Sequence, residues 1–434
     1  MNITILGGGI AAISLAFFLQ NKKKIKKINI IEKESKLGGL LRSFNFDSIH
    51  YDVGPHIIFS KHKEILELNK DFLGKNISKL KRSNKIIYNK KTLIKYPFEN
   101  ELNKLSGEDL NFALNNFINN PFKNYKPDNM LQFFLKLFGK GITDLYLRPY
   151  NEKIWKFDPS FLDTQMVERI PQPPKKDILK SAKGHATEGY KHQLFFYYPK
   201  KGGIESLFEA YKKKLGKKIK IYRKSKIKKL SLKKNYQNTF FSNKIIKSQK
   251  VISTIPLNEL YFLINKKDSE VENYSKKLLY NSIKIITLKI KGNYYGNNFA
   301  FMIPDKNIIF HRLSKLNFLG KEYSLKGYTF LQAEITFRKN DLVDKMSKKE
   351  LMKKIISDLK ILKFLKNNKD IKKFEIKTFK YAYVIYDLDH RKNVDYLLNF
   401  YKKNNIICSG RLGSWEYLNS DQVINQSKKI SRKI

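Results

Sequence analysis

The chain has 434 residues, enough for two or three domains, and its 41% hydrophobic and 13% aromatic content excludes a disordered class. Its formal net charge of +48 comes from 87 lysines and arginines, only 10 of them arginine, scattered beside abundant Asn and Ile. That scatter reads as drift toward A/T-rich codons and a solvated surface; with no helix-turn-helix, RNA-recognition or zinc-finger pattern, no nucleic-acid partner is expected.

In chain order, Ile3-Thr4-Ile5-Leu6 reads as a strand, Gly7-Gly8-Gly9 as a turn, residues 10–19 as a helix and Ile28-Asn29-Ile30-Ile31 as a second strand. Glu32 ends that strand, 23 residues past Gly9. This is the fingerprint for the ADP half of a dinucleotide. Gly7 permits the tight turn, Gly9 lets backbone approach a pyrophosphate, Ala12 takes the place of the third glycine, and Glu32 is spaced to meet a ribose hydroxyl. The apolar run 10–19 imitates a signal-peptide core, yet no Lys or Arg precedes it. No segment reaches the ~18 apolar residues of a membrane helix, so a cytoplasmic protein without an integral membrane segment is expected. The single cysteine, Cys408, fits a reducing compartment.

Gly38-Gly39 and Gly54 mark further sharp turns or close backbone approaches. Residues 83–98 read as a hairpin turning at Asn89-Lys90. Residues 107–170 carry a helical pattern, ended by the proline-rich stretch 171–174, and residues 185–198 read as a loop and a short strand. A turn at 199–203 leads into a helix over 204–215, and a later strand ends at Thr254-Ile255-Pro256. Alternation over 283–337 predicts strands, 348–366 a helix, 405–411 a strand entering a glycine turn, and residues from 420 a final helix. No His/Cys cluster has metal-ligand spacing, and no metal is expected.

The glycine fingerprint, Glu32, Gly38-Gly39, the strand to Pro256 and the Gly410-Arg411 turn resemble FAD enzymes of the amine-oxidase and protoporphyrinogen-oxidase type. Three motifs resemble the UDP-galactopyranose mutase branch more closely. They are Tyr51-Asp52-Val53-Gly54-Pro55-His56; Arg148-Pro149-Tyr150-Asn151-Glu152-Lys153-Ile154-Trp155 with the later Arg169; and Gly410-Arg411-Leu412-Gly413-Ser414-Trp415-Glu416-Tyr417. The resemblance implies an α/β fold with a discontinuous Rossmann-type FAD-binding domain (1–80, 199–260 and 386–434). A hairpin and helical region (81–198) and an antiparallel β-sheet substrate domain (261–385) would interrupt it.

It also implies that Gly7, Gly9, Ala12, Glu32, Lys33, Gly38, Gly39, Leu40, Gly54, His56, Gly410 and Arg411 bind FAD. Tyr150, Lys153, Trp155, Arg169, Arg312, Tyr386 and Tyr417 would bind a nucleotide sugar, with His56, Arg169 and Arg312 serving catalysis. Among so many lysines, a retained arginine points to bidentate recognition, and Arg169 and Arg312 would clamp a diphosphate. Plainer roles exist for each: ion pairs for the arginines, core packing for Tyr150 and Trp155, a satisfied core histidine for His56.

The implied reaction is redox-neutral. Reduced flavin N5 would attack the anomeric carbon and displace UDP; the flavin–sugar adduct would open, reclose through another hydroxyl and recapture UDP with release of the flavin, interconverting UDP-galactopyranose and UDP-galactofuranose. NAD(P)H would serve only as a transient reductant. The same scaffold permits an FAD-dependent oxidoreductase acting on an amine, porphyrinogen or sugar, in cell-surface polysaccharide or porphyrin metabolism. A basic, non-catalytic binding protein is a third possibility.

Overall fold

The computed structural model describes residues 1–188 and 194–434; the side chains of Glu168 and Arg169 also lie outside the description. The opening strand Asn2–Leu6 lies in the middle of a five-stranded sheet. The order is Ile406–Cys408, Lys250–Ser253, Asn2–Leu6, Lys27–Ile31, Ile219–Tyr222, and every pair is parallel. Such strands are covered on both faces, which is why they read as continuous apolar runs rather than alternating ones. Leu6 pairs with Ser253 on one side and Ile31 on the other, so Gly7, Thr254 and Glu32 leave the sheet side by side at its carboxyl edge. The helix Ile10–Leu19 is buried along most of its length, packed against the helices Glu205–Lys213 and Ser420–Lys433. Ser14 and Ser427 hydrogen-bond between two of these helices at 2.8 Å.

A second, seven-stranded sheet has the order Ile371–Val384, Tyr280–Lys291, Tyr328–Phe337, Arg312–Lys315, Ala300–Met302, Asn84–Tyr88, Thr92–Lys95. It is antiparallel except where Ala300–Met302 runs parallel to Asn84–Tyr88. It is therefore mixed rather than wholly antiparallel. The predicted hairpin, its turn residues Asn89 and Lys90 both left-handed, forms one edge of it. An isolated hairpin is barely stable, and this one gains stability by burying Ile86, Ile87 and Ile94 as part of a larger sheet.

The helical region contains Gly107–Ile118 and Met130–Ile142, which meet at Gly139 and Gly141. A Cβ on Gly139 would lie 2.0 Å from the Asn116 carbonyl oxygen, so only glycine permits that approach. A π-turn, Thr143–Leu147, then leads into the helix Arg148–Trp155. That helix is tied to the large sheet by Asn281, which donates to the Trp155 carbonyl at 2.6 Å, and by Thr336, which donates to the Lys153 carbonyl at 3.0 Å. Among the described residues no helix is long and apolar enough to cross a membrane.

Candidate active site

The glycine turns at the carboxyl edge of the parallel sheet touch backbone to backbone. Gly9 bridges Gly38, and the Gly38 N–H donates to the Gly8 carbonyl at 3.0 Å. Gly39 has φ +58, and a Cβ there would meet the Cα of Gly9 at 3.3 Å. Glu32 braces this cradle by accepting from Gly8 N–H at 2.7 Å and Glu34 N–H at 2.9 Å. Gly9 opens the first helix with no side-chain cap, which leaves the helix N–H groups and positive dipole end for an anion. Ala12 is fully buried beneath, and Lys33 is exposed near Glu259. The C-terminal turn closes the cradle: Gly410 has φ +83, and a Cβ there would lie 2.6 Å from that of Ala11. Missing Cβ atoms, unclaimed amides and a ribose-spaced acid fit the ADP half of FAD.

Beyond the cradle lies a cavity of about 160 Å³, lined by Leu40, Gly54, His56, Arg312, Tyr383, Arg411 and Tyr417 among others. Arg411 stacks over Tyr417, 4.7 Å from the ring centre, while its Nε donates to the Leu418 carbonyl and its Nη1 to the Ala382 carbonyl. His56 Nδ1 lies 2.9 Å from the Gly54 carbonyl. Burial, reinforced by the Arg411 and Arg312 charges, lowers the His56 pKa to about 4. The ring is therefore neutral at pH 7, with Nδ1 the donor to Gly54 and Nε2 an acceptor.

A neighbouring cavity of about 290 Å³ shares Pro55, Phe59, Arg312, Tyr383 and Tyr417 with the first. Tyr150 lines it, one ring face stacked on Tyr146 at 5.3 Å, and Tyr146 in turn stacks on Phe98 at 5.0 Å. Trp155 also lines it, braced edge-on by Tyr383 and Tyr417, with its Nε1 donating to Asn151 at 2.9 Å. Arg312 is bound through Nε and Nη2 to the fully buried Glu334, at 2.5 and 2.6 Å. One edge of the guanidinium thus serves an ion pair, and Nη1 has no hydrogen-bond partner among the described residues.

Two expected site residues are not brought to either cavity wall. Lys153 points away: its buried ammonium donates to the Ile303 and Asp305 carbonyls at 2.9 and 2.7 Å, and burial pushes its pKa well down. Tyr386 lies past the end of its strand, where its carbonyl accepts from Asp163 N–H and its hydroxyl accepts from Tyr417 N–H. Tyr383, three residues earlier and still in the strand, lines both cavities instead. The Arg169 side chain lies outside the described residues. Glu334, Glu99, Asn84 and Tyr383 also line these cavities, and none is singled out by the sequence motifs; Tyr383 alternates in its strand with the buried Ala382 and Val384.

The two sheets, joined at these cavities, define a two-unit α/β fold of the Rossmann type. Residues 5–72 match the family of NAD(P)-binding Rossmann-like domains. Over its whole length the chain has the fold of a reduced UDP-galactopyranose mutase, at 22% identity and a TM-score of 0.89, covering 99% of this chain and 93% of that one. A proposed protoporphyrinogen oxidase from Exiguobacterium sp. 255-15 is similar at 15% identity and TM-score 0.78, covering 100% and 98%. A putrescine oxidase redesigned in cofactor binding is similar at 12% identity and TM-score 0.66, also covering 100% and 98%. At these identities the shared property is the fold.

Proposed function

We propose that the protein is an FAD-dependent nucleotide-sugar enzyme that interconverts UDP-galactopyranose and UDP-galactofuranose. The observation that carries this is the meeting of the two cavities at Arg312, Tyr383 and Tyr417. A cation and stackable aromatic rings there suit an anionic nucleotide beside a flavin. Gly7, Gly9, Glu32, Gly39 and Arg411 would hold FAD, which when bound and reduced supplies a nucleophile toward the anomeric carbon. Tyr150 would stack the uracil, and Arg312, with Arg169, would offset the charge of the departing diphosphate. Neutral His56 would shape the polar environment beside the ring through its Nε2 acceptor. Such an enzyme would work in the cytoplasm, supplying a sugar donor for cell-surface polysaccharide.

The likeness to putrescine oxidase supports a second reading, an FAD-dependent oxidoreductase. One experiment separates the two. Under anaerobic conditions the protein is reduced once with dithionite or NAD(P)H, given UDP-galactopyranose, and followed by NMR. Furanose formed over many turnovers without further reductant supports the mutase. Activity that needs oxidised flavin and consumes one acceptor per product supports the oxidoreductase.

A further inference from the structure

Glu99 stands on the wall of the larger cavity, 1% exposed, in the short turn Phe98–Asn100. One carboxyl oxygen is held by its own backbone N–H, and Oε2 has no hydrogen-bond partner among the described residues. Burial raises its pKa to about 7. The same cavity holds other polar atoms without a hydrogen-bond partner among the described residues: Asn84 Oδ1, Tyr146 Oη, His311 Nδ1 and Ser314 Oγ. Native interiors rarely leave so many groups unpaired in one place, so a ligand rich in hydrogen-bonding groups is the natural partner.

Among the described residues no cation pairs with Glu99. On the adjoining strand, Lys95 is taken by Glu188 at 2.9 Å and by the Thr187 carbonyl at 2.8 Å. In the helix beneath, Ser181 donates to the Glu99 carbonyl oxygen, Lys180 is exposed and Asp177 is half-buried. Arg82 and Tyr96 line the hairpin side of the cavity and have other interactions. Across the cavity, burial holds the Tyr146 proton on, helped by Tyr150, Tyr96 and Glu99. His311 is kept neutral by burial and by the Arg312 charge, and Arg312 is paired with Glu334.

We infer that Glu99 is a recognition residue that meets the ligand as a neutral carboxylic acid, Oε2 donating to an oxygen of the ligand in this cavity, so that binding takes up one proton. This rests on the nucleotide-sugar reading. Glu99 and Tyr150 line the same cavity, but the stacked Tyr146 and Phe98 rings, at spacings of 5.3 and 5.0 Å, stand between Glu99 and the face on which the base would lie, so Glu99 meets the ligand beyond its base. The diphosphate of such a ligand brings negative charge into the same low-dielectric space, which further disfavours an ionised Glu99. The proton comes from solvent and rests on Oε2; no covalent bond changes.

The test is calorimetry of UDP-galactopyranose binding to the oxidised, flavin-loaded protein, in buffers of different ionisation heat, from about pH 6 to about pH 8.5. The diphosphate of this ligand is esterified at both ends, so it has no secondary phosphate ionisation in that range. Wild type should take up a proton count approaching one per site at the alkaline end. Its affinity should fall about tenfold per pH unit above neutrality, while Glu99→Gln, which keeps a donor, should bind with a flat profile and take up none. If the variant does not fold, the wild-type proton count decides alone. Binding without proton uptake, or the same pH profile in both proteins, overturns the role of Glu99 while leaving the nucleotide-sugar reading standing. No binding at any pH overturns both.

Discussion

Arg312 and Glu334 stand opposite one another on neighbouring antiparallel strands and close a two-point ion pair at 2.5 and 2.6 Å. Above the pair sits Gly54, where a Cβ would lie 3.1 Å from Glu334 Oε2. The pairing holds the guanidinium at the seam between the two cavities, where a flexible cation would otherwise have to be ordered by the ligand.

Arg312→Lys therefore keeps a charge but loses the planar fork. UDP should bind more weakly by about 1–3 kcal/mol, the range for charge-assisted hydrogen bonds, with flavin content per chain unchanged. Titration of UDP alongside the flavin absorbance checks both halves of that statement.

Two glycines report on the cradle. A Cβ on Gly7 (φ +95) would lie 2.6 Å from Thr254 Oγ1, and one on Gly410 (φ +83) would lie 2.6 Å from the Ala11 Cβ. Alanine at either position stores about 1–3 kcal/mol of strain, so melting temperature and bound flavin should fall together. Gly74 (φ +53) has nothing within 4 Å of its Cβ position, and Gly74→Ala should leave flavin content untouched.

Lys153 and Tyr150 share one helix but should behave differently. Lys153→Met strips two carbonyls of their donor and should cost about 1–3 kcal/mol of stability, with little change in KM for the nucleotide sugar. Tyr150→Ala should raise KM. Thermal melts and steady-state kinetics on the same preparations distinguish the two effects.

His56 gives a pH dependence of stability with a definite sign. Its pKa falls from 6.5 to about 4 in the folded protein, so between those values the unfolded chain binds more protons. Stability should be full above pH 6.5 and decline as the pH falls toward 4, by at most about 1.4 kcal/mol per unit. Urea titrations of wild type and His56→Gln should converge at low pH, because the variant lacks this loss.

The cradle was readable in the sequence because its chemistry is local: Gly7, Gly9 and Glu32 are recognisable from spacing alone. The strand Ile371–Val384 falls within the β-rich stretch 261–385 but is not singled out by its sequence. It is an edge strand whose Lys372, Lys373, Lys377 and Lys380 give it the look of a solvated segment, although such lysines are what protects an exposed edge. The contrast between Tyr386 and Tyr383 has a related origin. Which of the two reaches the cavity depends on where the strand stops, and that is set by pairing with Leu162 and Asp163, far away in the chain. The hairpin was foreseen as a hairpin, but its partner strand Ala300–Met302 lies some two hundred residues downstream and leaves no local trace. Glu99 looked like any other acid, since nothing nearby in the sequence signals its burial.

The central position of Asn2–Leu6 carries a consequence for the order of assembly. One of its two neighbours, Lys27–Ile31, leaves the ribosome soon after it, but the other, Lys250–Ser253, follows more than two hundred residues later. Until then the nascent chain carries an apolar strand with an unsatisfied edge, a natural substrate for holdase chaperones and a seed for aggregation. The same delay means that a fragment ending near residue 80 contains the fingerprint without the sheet that shapes it, and it should neither fold stably nor retain a nucleotide.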